Sequence, residues 1–308
     1  MQFLDNYPLK NVTTLCIGGP AKKFVVVKSQ SELLEALKHA KQNYLNYLVI
    51  GEGSNLLVSD AGFDGLVIKN EITGISHIGC VIFSGTLLQE LVDYTIGHGL
   101  SGLQKLAGIP GTVGGAVYGN AGAYGQSISD HITSVKVLNS DNLKIEQFNN
   151  SDCCFAYRDS IFKKTHDIIL EVTFRLEVGD SQTLQQEAKD ILSKRLVKYP
   201  PGIKCPGSFF KNLIASELSP DVLKNIAPEK IVFGKVPAGA LLEEVGAKGQ
   251  KTDGIKIASY HANLFINNGT GEAKTFYNLA KAYAQKVREK FGISLEPEVQ
   301  LINLPPLT

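Results

Sequence analysis

GIPGTVGGAVYGNAGAYG, residues 108–125, carries seven glycines in eighteen positions. Such a stretch is either a flexible linker or a loop that must lie very close to something. A linker is polar, but here the gaps between glycines hold Ile109, Val113, Val117 and Tyr118. That mixture predicts a packed loop whose backbone N–H groups face an anion. A second cluster, GEGSN (51–55), directly follows the apolar run YLVI (47–50). Neither is the strand–GxGxxG–helix dinucleotide fingerprint. The one G-x-G-x-x-G, GHGLSG (97–102), follows a predicted helix, GEGSNL lacks a third glycine, and no G-x-x-x-x-G-K-[ST] occurs. Two separate loops suit a diphosphate between two sub-domains, with the rest of a dinucleotide extended to either side.

The chain has 308 residues, 44% apolar and 20% charged, enough for two packed domains and not a disordered chain. A formal net charge of +1 gives no support for a nucleic-acid partner. No apolar run approaches the roughly 20 residues of a membrane span, and the first residues do not read as a secretory signal. Five cysteines (16, 80, 153, 154, 205) lack metal-ligand spacing and suit free thiols in a reducing cytoplasm, so no metal is expected.

Strands are predicted at 24–27, 47–50, 66–68, 81–85, 135–139 and 168–178. Helices are predicted at 31–42, with Ser29 and Glu32 as a capping box, and at 86–99. The polar stretch VGDSQ (178–182) places a boundary near 180, ahead of the helix TLQQEAKDILSKRL. Beyond it come short strands at 255–258, 264–267 and 298–302, and a long helix, 272–291, closed by Gly292. The class is α+β in two parts, residues 1–180 (sub-domains about 1–72 and 73–180) and 181–308.

Seven motifs then occur in order: GEGSNLLVSDAGFDGLVI, GLSGLQKLAGIPGTVGGAVYGNAGAYG, CCFAYRDS, CPGSFFKN, VPAGALLEEVGAKG, HANLFINN and ISLEPEVQLI. Together they resemble the UDP-N-acetylenolpyruvoylglucosamine reductase family, nearly end to end, in its shorter type without an inserted substrate-covering loop. The resemblance implies an FAD-binding domain of the vanillyl-alcohol-oxidase (PCMH) type followed by a smaller α+β substrate domain. It implies non-covalent FAD on both glycine loops: Gly51, Glu52, Gly53, Ser54 and Asn55, then Gly108, Ile109, Pro110, Thr112, Val113, Gly114, Gly115, Asn120, Gly122 and Ala123. It implies NADPH as hydride donor, a UDP-sugar as substrate, a cytoplasmic monomer, and a role in peptidoglycan precursor synthesis.

In the implied reaction, hydride reaches C3 of an enolpyruvyl group and charge develops at C2, spreading into the carboxylate. Arg158 is the implied stabiliser, since a guanidinium is permanently charged and grips a carboxylate bidentately. Ser208 is the implied proton donor to C2, and Glu298, preferred over Glu296, polarises the carboxylate or assists the proton. Tyr124, Lys211, Asn212, Lys248 and His261 match substrate positions. Gln104, Gly119, Ala240 and Cys205 depart from the family pattern without removing a catalytic group. A flavin oxidase with covalently attached FAD and a flavin-free sugar-nucleotide binding module remain as alternatives.

Overall fold

The computed structural model describes residues 1–76, 80–224 and 226–307. The chain divides into two compact units. The first comprises Met1–Asp5, Lys23–Glu52 and Asp64–Tyr199; the second comprises Asn6–Lys22, Gly53–Phe63 and the chain from Pro200 onward. This differs from the expected break near 180. The polar stretch there is a helix cap, not a linker: the Asp180 carboxylate accepts from Thr183 N (2.8 Å) and starts the helix Ser181–Lys198. That helix buries Leu184 and Ile191 in the first unit's core.

The first unit opens on a four-stranded sheet in the order Leu4–Pro8, Pro20–Val27, Phe63–Asn70, Asn46–Ile50, the last two parallel. Helix Gln30–Gln42 lays Leu33, Ala36, Leu37 and Ala40, one face at helical spacing, against Val25, Val27, Leu66 and Ile68. Its capping box is half formed. Ser29 accepts from Glu32 N, but the Glu32 carboxylate accepts from Lys28 N (2.6 Å), one residue earlier than the motif requires.

A five-stranded antiparallel sheet follows, in the order Ile145–Asn149, Ile132–Leu138, Ile168–Phe174, Val81–Phe83, Ile75–Ser76. Leu170, Val172 and Phe174 are buried and alternate with half-buried Glu171 and Thr173. The run predicted to reach 178 breaks after Phe174, and Glu177–Val178 pairs separately with Leu100–Ser101. Helices Leu88–Gly97, Val113–Tyr118 and Ser181–Lys198 share one core with Ile82, Val135 and Val172.

The second unit is built on aromatic rings. Phe209, Phe210, Phe265 and Phe276 are all fully buried, with Phe209 centroids 4.8, 5.5 and 5.2 Å from the other three. Helix Ala273–Phe291 buries Phe276, Ala280, Tyr283, Val287 and Phe291. Its first N–H groups donate to the Asp60 carboxylate (Ala273 2.8 Å, Lys274 2.9 Å), and Gly292, at φ +70°, closes its end. Strand Gln300–Ile302 pairs in parallel with Leu56–Val58. The segment from Pro200 onward is therefore completed by pieces from the first sixty-odd residues.

Candidate active site

In the first unit the two glycine loops meet. A Cβ on Gly51 would collide with the Thr112 side chain. The Thr112 hydroxyl also accepts from Gly115 N (3.2 Å) and caps helix Val113–Tyr118. Val113 N and Gly114 N bind the Thr86 and Ser84 carbonyls (both 2.8 Å), and Val113 is buried. Gly114 and Gly115 then differ. A Cβ on Gly114 would stand 2.8 Å from Ser84 Cβ, whereas one on Gly115 would meet only Thr112 Oγ1 at 3.5 Å. Protein packing explains the first glycine and leaves the second facing open space. That open Cα face fits a flat ring lying against it, whereas the N–H groups of Val113, Gly114 and Gly115, expected to face an anion, are bonded within the protein instead.

Other predicted cofactor residues have identified partners. Glu52 pairs with Lys69 (3.2 Å), which also pairs with Glu71 (3.0 Å). Burial pulls the Lys69 ammonium down, but the hydrogen bonds and charges of Glu71 and Glu52 outweigh it and raise its pKa. Gly108, at φ +75°, lies against Leu192 and Arg195, and Ile109 packs on the core next to Pro110. Asn120 donates to Ala156 O (2.8 Å). Gly122 and Ala123 pair with Ser127 and Gln126 around a turn carrying Tyr124 and Gly125. Gly53 is buried against Val12 O in the second unit, and Ser54 sits in the turn that follows.

Arg158 occupies the tight turn between Ala156 and Asp159, whose backbones exchange two 3.1 Å bonds. Its φ of +56° is left-handed, a conformation costing a non-glycine residue about 1 kcal/mol. Strain of this kind concentrates at functional sites. One Nη of Arg158 donates to Gly122 O (2.9 Å), joining this turn to the end of the glycine loop, and Lys163 Nζ donates to Arg158 O (2.6 Å). Asp159 lies 3.9 Å from Lys163.

In the second unit backbone bonds join the segments that carry Ser208, Lys211, Asn212, His261 and Glu298. Ser208 bridges Leu264, Phe209 N donates to Asn263 O (3.0 Å), and Glu298 N donates to Phe209 O (2.7 Å). The Asn55 side chain donates to Glu298 O (3.0 Å), so the Glu298 backbone is tied from both sides. Glu296, the competing carboxylate, is exposed and pairs with Lys211 (3.3 Å). The Asn212 side chain accepts from Ala238 N (3.2 Å), at the start of helix Ala238–Glu244. His261 Nδ1 accepts from Asn263 N (3.2 Å), which leaves Nε2 to carry the proton of a neutral ring. Lys248 is engaged by Glu243 at the surface. Sequence reading missed Asn263, whose amide binds both Phe210 N and Phe210 O (each 2.8 Å), and Arg195, whose guanidinium adjoins the glycine loop. An Asn beside a motif histidine carries no distinctive signal, and Arg195 falls in an ordinary helical pattern. Among the described residues no group of three or more His, Cys, Asp or Glu is placed to hold a metal ion, and no helix is long and apolar enough to cross a membrane.

Comparison with known proteins agrees with this geometry. An FAD binding domain profile matches residues 21–144, and the profile of the UDP-N-acetylenolpyruvoylglucosamine reductase C-terminal domain matches residues 200–302. With the open glycine backbone, this defines a flavin-dependent oxidoreductase. The UDP-N-acetylenolpyruvoylglucosamine reductase of Solibacter usitatus is 42% identical over 299 residues, 96% of this chain and 95% of that one. That of Caldicellulosiruptor bescii is 36% identical over 308 residues, 98% and 91% of the two chains. The crystal structure of the enzyme from Thermus caldophilus superposes with a TM-score of 0.77 at 29% identity, covering 98% of each chain. The chain belongs to the UDP-N-acetylenolpyruvoylglucosamine reductase family.

Proposed function

We propose that the protein reduces the enolpyruvyl group of UDP-N-acetylglucosamine enolpyruvate to give UDP-N-acetylmuramate, a peptidoglycan precursor, using NADPH and non-covalently bound FAD. The single observation that carries this reading is the 2.7 Å bond from Glu298 N to Phe209 O, which sets the half-buried residue Glu298 beside the residue next to Ser208. FAD, when bound, would supply the two-electron chemistry that links NADPH to C3 of the enolpyruvyl group. The open backbone at Gly115 would hold the flavin, on a loop that Thr112 braces against Gly51.

Arg158 binds the carboxylate and offsets the charge that develops as C3 is reduced. Its own backbone bonds and its bond to Gly122 O fix where the guanidinium can reach. Ser208 Oγ gives its proton to C2. A serine is a weak acid, but a developing carbanion is a strong base, and the backbone pairing of Ser208 and Phe209 with Leu264 and Asn263 fixes the backbone from which the hydroxyl projects. Glu298 polarises the carboxylate or assists that transfer. Lys211, Asn212, Lys248, His261 and Tyr124 contact the sugar nucleotide, and the protein acts as a cytoplasmic monomer.

Anaerobic spectroscopy tests the reading. The purified protein is expected to show flavin absorption that NADPH bleaches and the enolpyruvyl sugar nucleotide restores. Ser208→Ala should bleach normally and recover slower by several orders of magnitude. A colourless protein that cannot be reconstituted with FAD would overturn the proposal, and normal recovery in Ser208→Ala would remove the serine from it.

A further inference from the structure

The glycine loop ends in a short hairpin in which Gln126 pairs with Ala123 and Ser127 with Gly122. Its turn is Tyr124–Gly125, both at positive φ (+52° and +81°), as a type I′ hairpin requires. A bulky residue rarely adopts that conformation. Two strands this short are marginal by themselves, so the hairpin must be held from outside. The Gln126 side chain does this. Its Nε2 donates to Gly102 O (2.5 Å) and to His131 Nε2 (2.7 Å). A carbonyl can only accept, so the amide nitrogen faces Gly102, and the His131 ring is the tautomer with its proton on Nδ1. Gln126 Oε1 is buried with no donor beside it, so the side chain serves here as a two-pronged donor alone.

The anchor is stiff. Gly102 is buried, and its N–H donates to Gln104 Oε1 (2.9 Å). Gln104 Nε2 in turn donates to Glu187 on helix Ser181–Lys198 (3.0 Å). A Cβ on Gly102 would stand 2.9 Å from the His131 ring, which closes the remaining side. On the other strand of the hairpin Gly122 lies under Gln126: a Cβ there would stand 2.5 Å from Gln126 O. Gly122 O is the acceptor of the 2.9 Å bond from Arg158 Nη. The backbone around Arg158 is fixed separately, by Asn120 donating to Ala156 O and Ser160 Oγ donating to Tyr118 O (both 2.8 Å). The hairpin therefore acts on the tip of the arginine and not on the turn that carries it.

We infer that Gln126 is a positioning residue for Arg158: by tying the hairpin to Gly102 O and His131, it sets the Gly122 carbonyl that aims the guanidinium at the substrate carboxylate. This deepens the function proposed above and rests on it. Displacing a reacting or charge-stabilising group by about 1 Å costs on the order of 100-fold in rate, so a small movement of the hairpin is enough to be read.

The test is a double-mutant cycle, read in single-turnover recovery of the NADPH-bleached flavoprotein. Gln126→Leu is expected to slow recovery by the enolpyruvyl sugar nucleotide about 30-fold. Bleaching by NADPH, which offers Arg158 no carboxylate, should change less than about threefold. In an Arg158→Ala background the same substitution should slow recovery less than about threefold further, because the group it positions is gone. Gln126→Lys, which keeps donors and has no acceptor, should recover within about fivefold of wild type. Equal slowing by Gln126→Leu in both backgrounds marks a structural glutamine and overturns the inference, as does Gln126→Lys recovering no faster than Gln126→Leu. His131→Phe carries the test if the leucine variant does not fold, since it keeps a ring against Gly102 and removes only the second acceptor. It should slow recovery about fivefold in the wild-type background and leave Arg158→Ala unchanged; no slowing in the first, or the same slowing in both, overturns the inference. Wild-type flavin that the enolpyruvyl sugar nucleotide never restores would overturn the proposed activity and this inference with it; restored wild type with either contrary pattern overturns this inference alone.

Discussion

Between Gly108 and Gly125 the chain places its backbone by leaving side chains out; around Ser208 it does so by putting asparagines in. In the first region Thr112, at the mouth of a six-residue helix, touches Gly51 and caps Gly115, and the face of Gly115 stays open. In the second, Asn263 binds both polar groups of Phe210, Asn55 holds Glu298 O, and Asn267 donates to Leu15 O (3.0 Å). An open backbone can accept a large flat ligand but cannot fix a small reacting hydroxyl. Amide cross-links can fix one, and they leave no room for a ring.

The sharpest way to break this contrast is Asn263→Leu. It strands the Phe210 N–H and C=O in a fully buried setting, and two unsatisfied groups cost about 3 kcal/mol or more. Urea unfolding measures it, and a loss below about 1 kcal/mol would mean the asparagine is not what holds the serine segment. Next is Gly115→Val. Flavin affinity should fall at least about 100-fold, roughly 3 kcal/mol, by fluorescence titration. Stability of the flavin-free protein should stay within about 1 kcal/mol, since only Thr112 stands near. Full flavin content would remove the loop from the cofactor site. Gly114→Ala sharpens the same point in reverse: packing against Ser84 at 2.8 Å should cost about 1–2 kcal/mol of stability even without flavin, while Gly115→Ala should be neutral or stabilising. Asn55→Ala should cost about 1 kcal/mol and slow recovery of the oxidised flavin more than its bleaching by NADPH.

The smallest effect lies behind the Arg158 turn. Burial, then Asp152 and Cys154, push the Cys153 thiol up to about 12 from its ordinary 9.0. The unfolded thiol ionises first as pH rises, so the stabilisation is complete below pH 9 and is lost progressively toward 12. Cys153→Ala should flatten the alkaline fall in stability by about 1 kcal/mol near pH 10. An unchanged slope would show that the Cys153 thiol is not desolvated in the folded protein.

Much of this was legible in the residues. Helix Ala273–Phe291 and strand Ile168–Phe174 follow from spacing, because burial of one face imposes the period. The glycine loops stood out because glycine is conspicuous when clustered, and Ser208 and Glu298 because they sit in ordered motifs. Asn263 did not, because a residue acting on a backbone far along the chain leaves no local pattern. VGDSQ misled for a related reason: caps and linkers draw on the same polar residues, and only Asp180's bond to Thr183 tells them apart. Nothing in 6–22 or 53–63 reveals that these residues belong with a partner that begins at Pro200.

That parallel pairing of Leu56–Val58 with Gln300–Ile302 has a consequence for how the chain is made. A ribosome adds residues at about 5–20 per second, so the early strand, and the Asp60 carboxylate that caps the last helix, wait on the order of tens of seconds for their partners. Through that interval Leu57, fully buried in the finished protein, has no core of its own to enter. The nascent chain is thus a natural client for holding chaperones, and truncation before Gln300 would deny the strand its partner altogether.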